Sequence, residues 1–159
     1  THCISSAASD VYKRQVMDAA TARIAILAGA EYIVSPYFDP ETVKCCNRYG
    51  IPSMPGIYTP TEAVAAMECG ADVLKVFPGD IAGPAFIKDM HGPIPNAVMM
   101  PSGGVNVDNV KDWIKAGAFA CGAGSSLIAG AKTGDYEKIT QTGKLFVERI
   151  KEARAEMAK

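Results

Sequence analysis

From Val16 onward the chain alternates short apolar runs with helical patterns, and that alternation leaves few folds open. Ala19 to Leu27 has helical periodicity closed by Gly29, and Glu31 to Ser35 reads as a short strand. A helix over Pro40 to Tyr49, stopped by Gly50, precedes a strand from Ile51 to Ile57. Thr59, Pro60 and Glu62 form the opening of a capped helix that runs to Gly70. The strand Ala71 to Phe77 follows, then a helix over Pro84 to Met90, a strand at Ala97 to Met100, a helix over Val107 to Lys115 and a strand at Ala118 to Gly122. A helical tail covers Tyr136 to Lys159. Short apolar strands that each lead into a helix are the pattern of a parallel sheet covered by helices. A closed (β/α) barrel and an open doubly wound sheet both satisfy it. The barrel is the expectation, because Ser35 and Pro36, Pro55 and Gly56, Lys75, Ser102 to Gly104 and Gly122 to Ser125 all fall at carboxyl ends of strands, which a barrel gathers at one mouth.

Lys75 stands in the middle of the run Ala71-Asp72-Val73-Leu74-Lys75-Val76-Phe77-Pro78. Side chains alternate along a strand, so Val73, Lys75 and Phe77 share one face, Leu74 and Val76 share the other, and neither face is polar. A buried ammonium relieves its desolvation by losing a proton, and a neutral amine is a nucleophile toward ketones. A lysine at a strand end that snorkels to water, or one that guards a sheet edge, is the other reading of the same residue.

Two glycine loops follow later strands: Pro101-Ser102-Gly103-Gly104-Val105-Asn106 and Gly122-Ala123-Gly124-Ser125-Ser126. Glycine lets a backbone approach an anion, and a short helix expected from Ser125 would turn its first amides toward one. Each glycine pair alone is as well explained by turn geometry. In barrels, however, the loops after the last two strands are a recurrent phosphate site.

The 159 residues are 48% hydrophobic with a net charge of -1, and lysines and arginines are interspersed with acids, which excludes a nucleic-acid binder by charge. No apolar run approaches a membrane span and no signal peptide is evident, so cytoplasm is the expected location. Cys3, Cys45, Cys46, Cys69 and Cys121 form no CxxC pair and read as reduced thiols. His91, beside Gly92 and Pro93, reads as a helix-end residue. Residues 1–15 read as a non-native or disordered leader, since Asp10-Val11-Tyr12-Lys13-Arg14-Gln15 resembles the translation of a transposase end sequence used in library preparation. The remaining residues, 16–159, are expected to form one partial barrel domain.

With Lys75 in LKVFPGD, the loops MPSGGVN and GAGSSLI, and the stretches ILAGAEYIVSP and IPSMPGIYTPTEA in order, the chain resembles the 2-keto-3-deoxy-6-phosphogluconate aldolases, which often also cleave 4-hydroxy-2-oxoglutarate. The resemblance runs from Val16 to about Ala153. It implies a class I aldolase on a (β/α)8 barrel, here N-terminally truncated by about three strands, acting on a small keto-acid phosphate without metal or other cofactor, and a homotrimer when full length. By the same resemblance Lys75 forms the Schiff base, Phe77 packs beside it, and Pro36 belongs to the pyruvyl pocket. Ser102, Gly103, Gly104, Gly124 and Ser125 bind substrate, Ser125 at its phosphate, with Ser102 replacing the family's threonine. The family's glutamate base, arginine and threonine fall upstream of Val16. Glu31 begins a strand, Glu62 is explained by capping and Asp80 follows the lysine strand without a family counterpart, so this chain by itself is expected to be inactive. A phosphate-binding barrel isomerase or epimerase, which would share the loops without needing Lys75, and a non-catalytic phosphate-binding remnant are the competing readings.

Overall fold

The computed structural model describes residues 16–158, and the expected leader at 1–15 lies outside them. The chain divides into two compact units, one ending at Phe77 and one beginning at Pro78.

In the first unit, helix α1 (Ala19–Leu27) starts where the Asp18 carboxylate accepts from the Thr21 amide at 2.7 Å. It is followed by β1 (Ile33–Val34). Helix α2 (Pro40–Tyr49) carries its signals at both ends: Asp39 caps the Thr42 amide, Pro40 opens the first turn, and Gly50 closes it in the left-handed region at φ 64°. Thr42, Val43, Cys45 and Cys46 form its buried stripe. Val16, Ala22, Ile33, Cys45 and Cys46 make one apolar cluster in which β1 lies with α1 and α2.

The expected strand over Ile51 to Ile57 is two strands, β2 (Ser53–Met54) and β3 (Gly56–Ile57). Pro55 divides them, because a residue without an N–H cannot continue a ladder. β2 pairs in parallel with β1, and β3 pairs in parallel with β4 (Leu74–Val76). Helix α3 (Pro60–Glu68) lies between β3 and β4. The expected capping box is present: the Glu62 amide donates to Thr59 Oγ1, and the Glu62 carboxylate accepts from Thr59 Oγ1 at 2.9 Å and the Tyr58 amide at 2.8 Å.

In the second unit, helix α4 (Gly79–Met90) is longer than the expected Pro84 to Met90. It is two helical pieces joined across Gly83 at φ 69°, ψ 166°; the pyrrolidine ring of Pro84 disfavours a helical residue before it, and glycine absorbs the break. His91 caps the end of α4, and its Nε2 lies 2.9 Å from the Ala97 carbonyl oxygen, in agreement with a helix-end role.

Strand β5 (Met99–Pro101) precedes helix α5 (Val110–Lys115), which begins three residues later than expected. Asn106 accounts for the delay: its Oδ1 accepts from the amides of Asp108 and Asn109, so the side chain competes with the helix for those donors. The strand expected at Ala118 to Gly122 is reduced to a single parallel bridge, Ser102 to Gly122. The segment nonetheless follows β5, with Phe119 N–H donating to Met99 at 2.9 Å and Gly122 N–H to Pro101 at 2.8 Å.

No helix begins at Ser125. The segment is a turn in which the amides of Leu127 and Ile128 share the Gly124 carbonyl, followed by a short 3-10 helix (Ala129–Thr133). The expected helix dipole behind Ser125 is therefore absent, because that single turn does not propagate into an α-helix. Helix α6 (Tyr136–Met157) ends the described chain, with Phe146 and Ala153 buried. No described helix is long and apolar enough to cross a membrane.

Candidate active site

The first unit brings Pro36, Gly56, Lys75 and Phe77 together. Gly56 pairs with Lys75 across the β3–β4 ladder, and the Lys75 amide donates to the Pro55 carbonyl at 2.8 Å. A Cβ placed on Gly56 would fall inside the carbonyl group of Pro36 and 2.7 Å from the Tyr37 amide nitrogen. Pro36, two residues after β1, thus rests on the backbone opposite Lys75, and only glycine permits the approach. Ser35 is buried beside it, with its hydroxyl donating to the Tyr37 carbonyl at 3.0 Å.

Lys75 is 1% exposed, between Leu74 at 1% and Val76 at 0%. Its ammonium nitrogen sits 4.5 Å from the centroid of the Phe77 ring. Strand alternation puts both side chains on one face, and the aromatic face supplies a partial counter-charge that leaves the nitrogen's lone pair available once the proton departs. No acid pairs with Lys75 among the described residues. Burial alone lowers its pKa from 10.5 to about 8. An amine in that range has an appreciable neutral fraction at neutral pH, the condition for attack on a carbonyl carbon.

The second unit holds the glycine loops. Ser102, at 9% exposure, follows β5, and its side chain lies against Gly122. Gly103 (φ 93°) and Gly104 (φ 70°) are both in the left-handed region. Gly79, the first residue of α4, donates to the Ser102 carbonyl at 2.8 Å, and a Cβ on Gly79 would come within 2.7 Å of the Gly103 carbonyl oxygen. A Cβ on Gly104 would come within 2.9 Å of the Asp80 Cα. The Gly79-Asp80 turn and the Ser102-Gly103-Gly104 loop therefore touch through backbone, a relation that the two glycine motifs hint at only once they are known to meet.

The Gly104 amide meets no acceptor among the described residues. Gly124 supplies the carbonyl that closes the turn after it, and Ser125 is exposed with no partner for its hydroxyl among the described residues. Of the acids, Glu62 is occupied by capping, Glu31 is exposed ahead of β1, and Asp80 is exposed beside Gly104. No group of three His, Cys, Asp or Glu side chains is placed to hold a metal among the described residues. Cys45, Cys46, Cys69 and Cys121 are free thiols, and burial raises Cys46 and Cys121 to about 11, so neither is a nucleophile at neutral pH.

Parallel strands alternating with helices, with a buried amine on one of them, define an α/β protein of the barrel class. The match to known proteins is narrower. The model of the KDPG and KHG aldolase family matches residues 7–142, and the chain belongs to that family. The 2-dehydro-3-deoxy-6-phosphogalactonate aldolase of Escherichia coli (strain K12) is 35% identical over 126 residues, 79% of this chain and 60% of that protein. A native KDPGal structure superimposes with a TM-score of 0.82 at 32% identity, covering 89% of this chain and 68% of the other. The 2-keto-3-deoxy-6-phosphogluconate aldolase of Zymomonas mobilis ZM4, solved with 3-phosphoglycerate, gives a TM-score of 0.74 at 25% identity, over 83% of this chain and 63% of that one. The fold is accordingly that of an incomplete (β/α)8 barrel. The chain spans 58% to 61% of the length of three curated relatives that it matches.

Proposed function

We propose that the protein carrying this chain is a class I aldolase that cleaves 2-keto-3-deoxy-6-phosphogluconate, or its close phosphorylated sugar-acid relatives, to pyruvate and glyceraldehyde 3-phosphate. 4-Hydroxy-2-oxoglutarate is a second substrate in this reading, giving pyruvate and glyoxylate. The carrying observation is the fully buried, acid-free amine of Lys75 over the Phe77 ring. Family membership and the aldolase names of its relatives support the reading.

The neutral Lys75 amine attacks the keto carbon and the adduct loses water to an iminium. The bond between carbons three and four then breaks, its electron pair moving toward the iminium nitrogen, while the hydroxyl on carbon four gives up its proton and leaves as the aldehyde. Protonation of the enamine at carbon three and hydrolysis release pyruvate and restore the amine. Pro36 shapes the pocket for the pyruvyl half, and Phe77 keeps the amine dry. Ser102, Gly103, Gly104, Gly124 and Ser125 hold the phosphate through backbone amides, that of Gly104 unpaired, and the free hydroxyl of Ser125. The bound 3-phosphoglycerate of the Zymomonas mobilis relative supports an anion of that kind.

No acid pairs with Lys75 among the described residues, and in this reading the general base belongs to the intact protein. Residues 16–159 are read as one partial barrel domain, and the intact protein as a cytoplasmic homotrimer. Pyruvate with borohydride tests the proposal: the intact protein should gain a stable reduced adduct at Lys75, and Lys75→Arg, whose guanidinium stays protonated, should abolish it. An adduct on another lysine, with Lys75 untouched, would sink the assignment.

A further inference from the structure

We infer that Ser126 is a positioning residue for anion binding, acting through Ser125; this rests on the reading of the two glycine loops as the phosphate-binding part of the site. The groups with free donors lie on separate loops: the amide of Gly104 after β5, and the hydroxyl of Ser125 after the Gly122 bridge. An anion held by both needs the loops at a fixed separation. Ser126 Oγ donates to the Val105 carbonyl at 2.6 Å, across 21 residues of sequence, and among the described residues it makes the one side-chain hydrogen bond joining residues 102–106 to residues 122–128.

The first loop is otherwise braced from its own side. Gly79 N–H holds the Ser102 carbonyl at 2.8 Å, and Asn109 Nδ2 holds the Gly104 carbonyl at 2.9 Å. A peptide unit is planar with its C=O and N–H opposed, so pinning the Ser102 carbonyl also fixes the Gly103 amide, and pinning the Gly104 carbonyl fixes that of Val105. These braces order the first loop, and the Ser102–Gly122 bridge joins the two loops at their bases. Ser126 joins them further along, and its neighbour Ser125 is carried with it. A half-buried serine whose hydroxyl bonds a carbonyl is ordinarily local turn chemistry, but here the partner is remote in sequence and belongs to the loop that presents the Gly104 amide.

Inorganic phosphate binding, followed by calorimetric titration of the intact protein, tests this. Ser125→Ala and Ser126→Ala should each weaken phosphate by about three- to tenfold, the range of one lost hydrogen bond. Ser126→Thr, which keeps the hydroxyl, should restore affinity. The double variant should lose no more than the larger single loss, because Ser126 acts through Ser125. Additive losses, an unaffected Ser126→Ala, or an intact protein that binds no phosphate would each overturn the inference. Borohydride trapping of pyruvate, which carries no phosphate, reports on Lys75 separately. Failure there with phosphate binding intact counts against the aldolase reading alone, and parallel loss of trapping and phosphate binding in Ser126→Ala, marking a folding defect, overturns the positioning role.

Discussion

Lys75 is the residue at which folding and reactivity meet. Its amine is lowered by burial to about 8 from an unfolded value of 10.5, so the unfolded chain holds more protons between those values. Stability should therefore rise as pH climbs from about 8 toward 10.5, and the cost of burial is fully present below that window. The difference corresponds to roughly 3 kcal/mol at pH 7, enough to matter against a typical domain stability. Lys75→Met, which keeps much of the volume without the charge, should raise the unfolding temperature clearly at pH 7 and much less at pH 10. Equal gains at both pH values would mean that the amine is not the source of the strain. The rate of adduct formation with pyruvate in the native protein should climb with pH and level off above about 8.

At the scale of elements, the question is what holds α6 to the rest of the second unit. Lys111 bridges Glu152 at 3.2 Å and Glu156 at 2.8 Å, Lys115 meets Glu156 at 2.6 Å, and Arg154 donates to the Phe119 carbonyl at 2.9 Å. The lysines beside Glu156 hold its carboxyl down to about 2, yet Glu156 and Lys115 are solvent-exposed, Lys111 is only half-buried, and the attraction is screened. Phe146, 7% exposed, and Ala153, fully buried, are the apolar anchors. Phe146→Ala should destabilise by about 3 kcal/mol, the usual cost of emptying a buried aromatic site, while Glu156→Gln should shift the denaturant midpoint far less. A larger effect from Glu156→Gln would make the ion network the principal attachment.

At the scale of the whole molecule, large apolar side chains stand exposed in each unit. Ile24 is 69% exposed and Leu27 68% on α1, and Phe119 is 61% exposed beside β5. The Val16 amide donates to the Val34 carbonyl at 3.2 Å, the one backbone bond that β1 makes on the side away from β2 among the described residues. Surfaces and edges of this kind promote self-association. Residues 1–159 expressed alone should be poorly soluble and without aldolase turnover, and a form extended to the length of the relatives should recover both. A soluble monomer of the 159 residues that releases pyruvate, with a rate abolished by Lys75→Arg, would refute this.

The sequence alone determined the local elements whose signals are covalently near. Asp39-Pro40 with Gly50 fixed α2, Thr59-Pro60-Glu62 fixed the start of α3, and period-two alternation placed Lys75 and Phe77 on one face of an apolar strand. These depend on dihedral limits, capping and side-chain alternation, which act over a few residues. Tertiary structure decided the rest. Pro55 assigns its two flanking pairs to different ladders, Asn106 takes amides that α5 would have used, and the turn after Gly124 does not continue into a helix. The contact of Gly56 with Pro36, the docking of Gly79 on Ser102 and the bond from Ser126 to Val105 likewise lie beyond local reading. Each depends on which distant backbone arrives alongside, and a hydrogen-bond donor in a sequence does not carry the address of its acceptor.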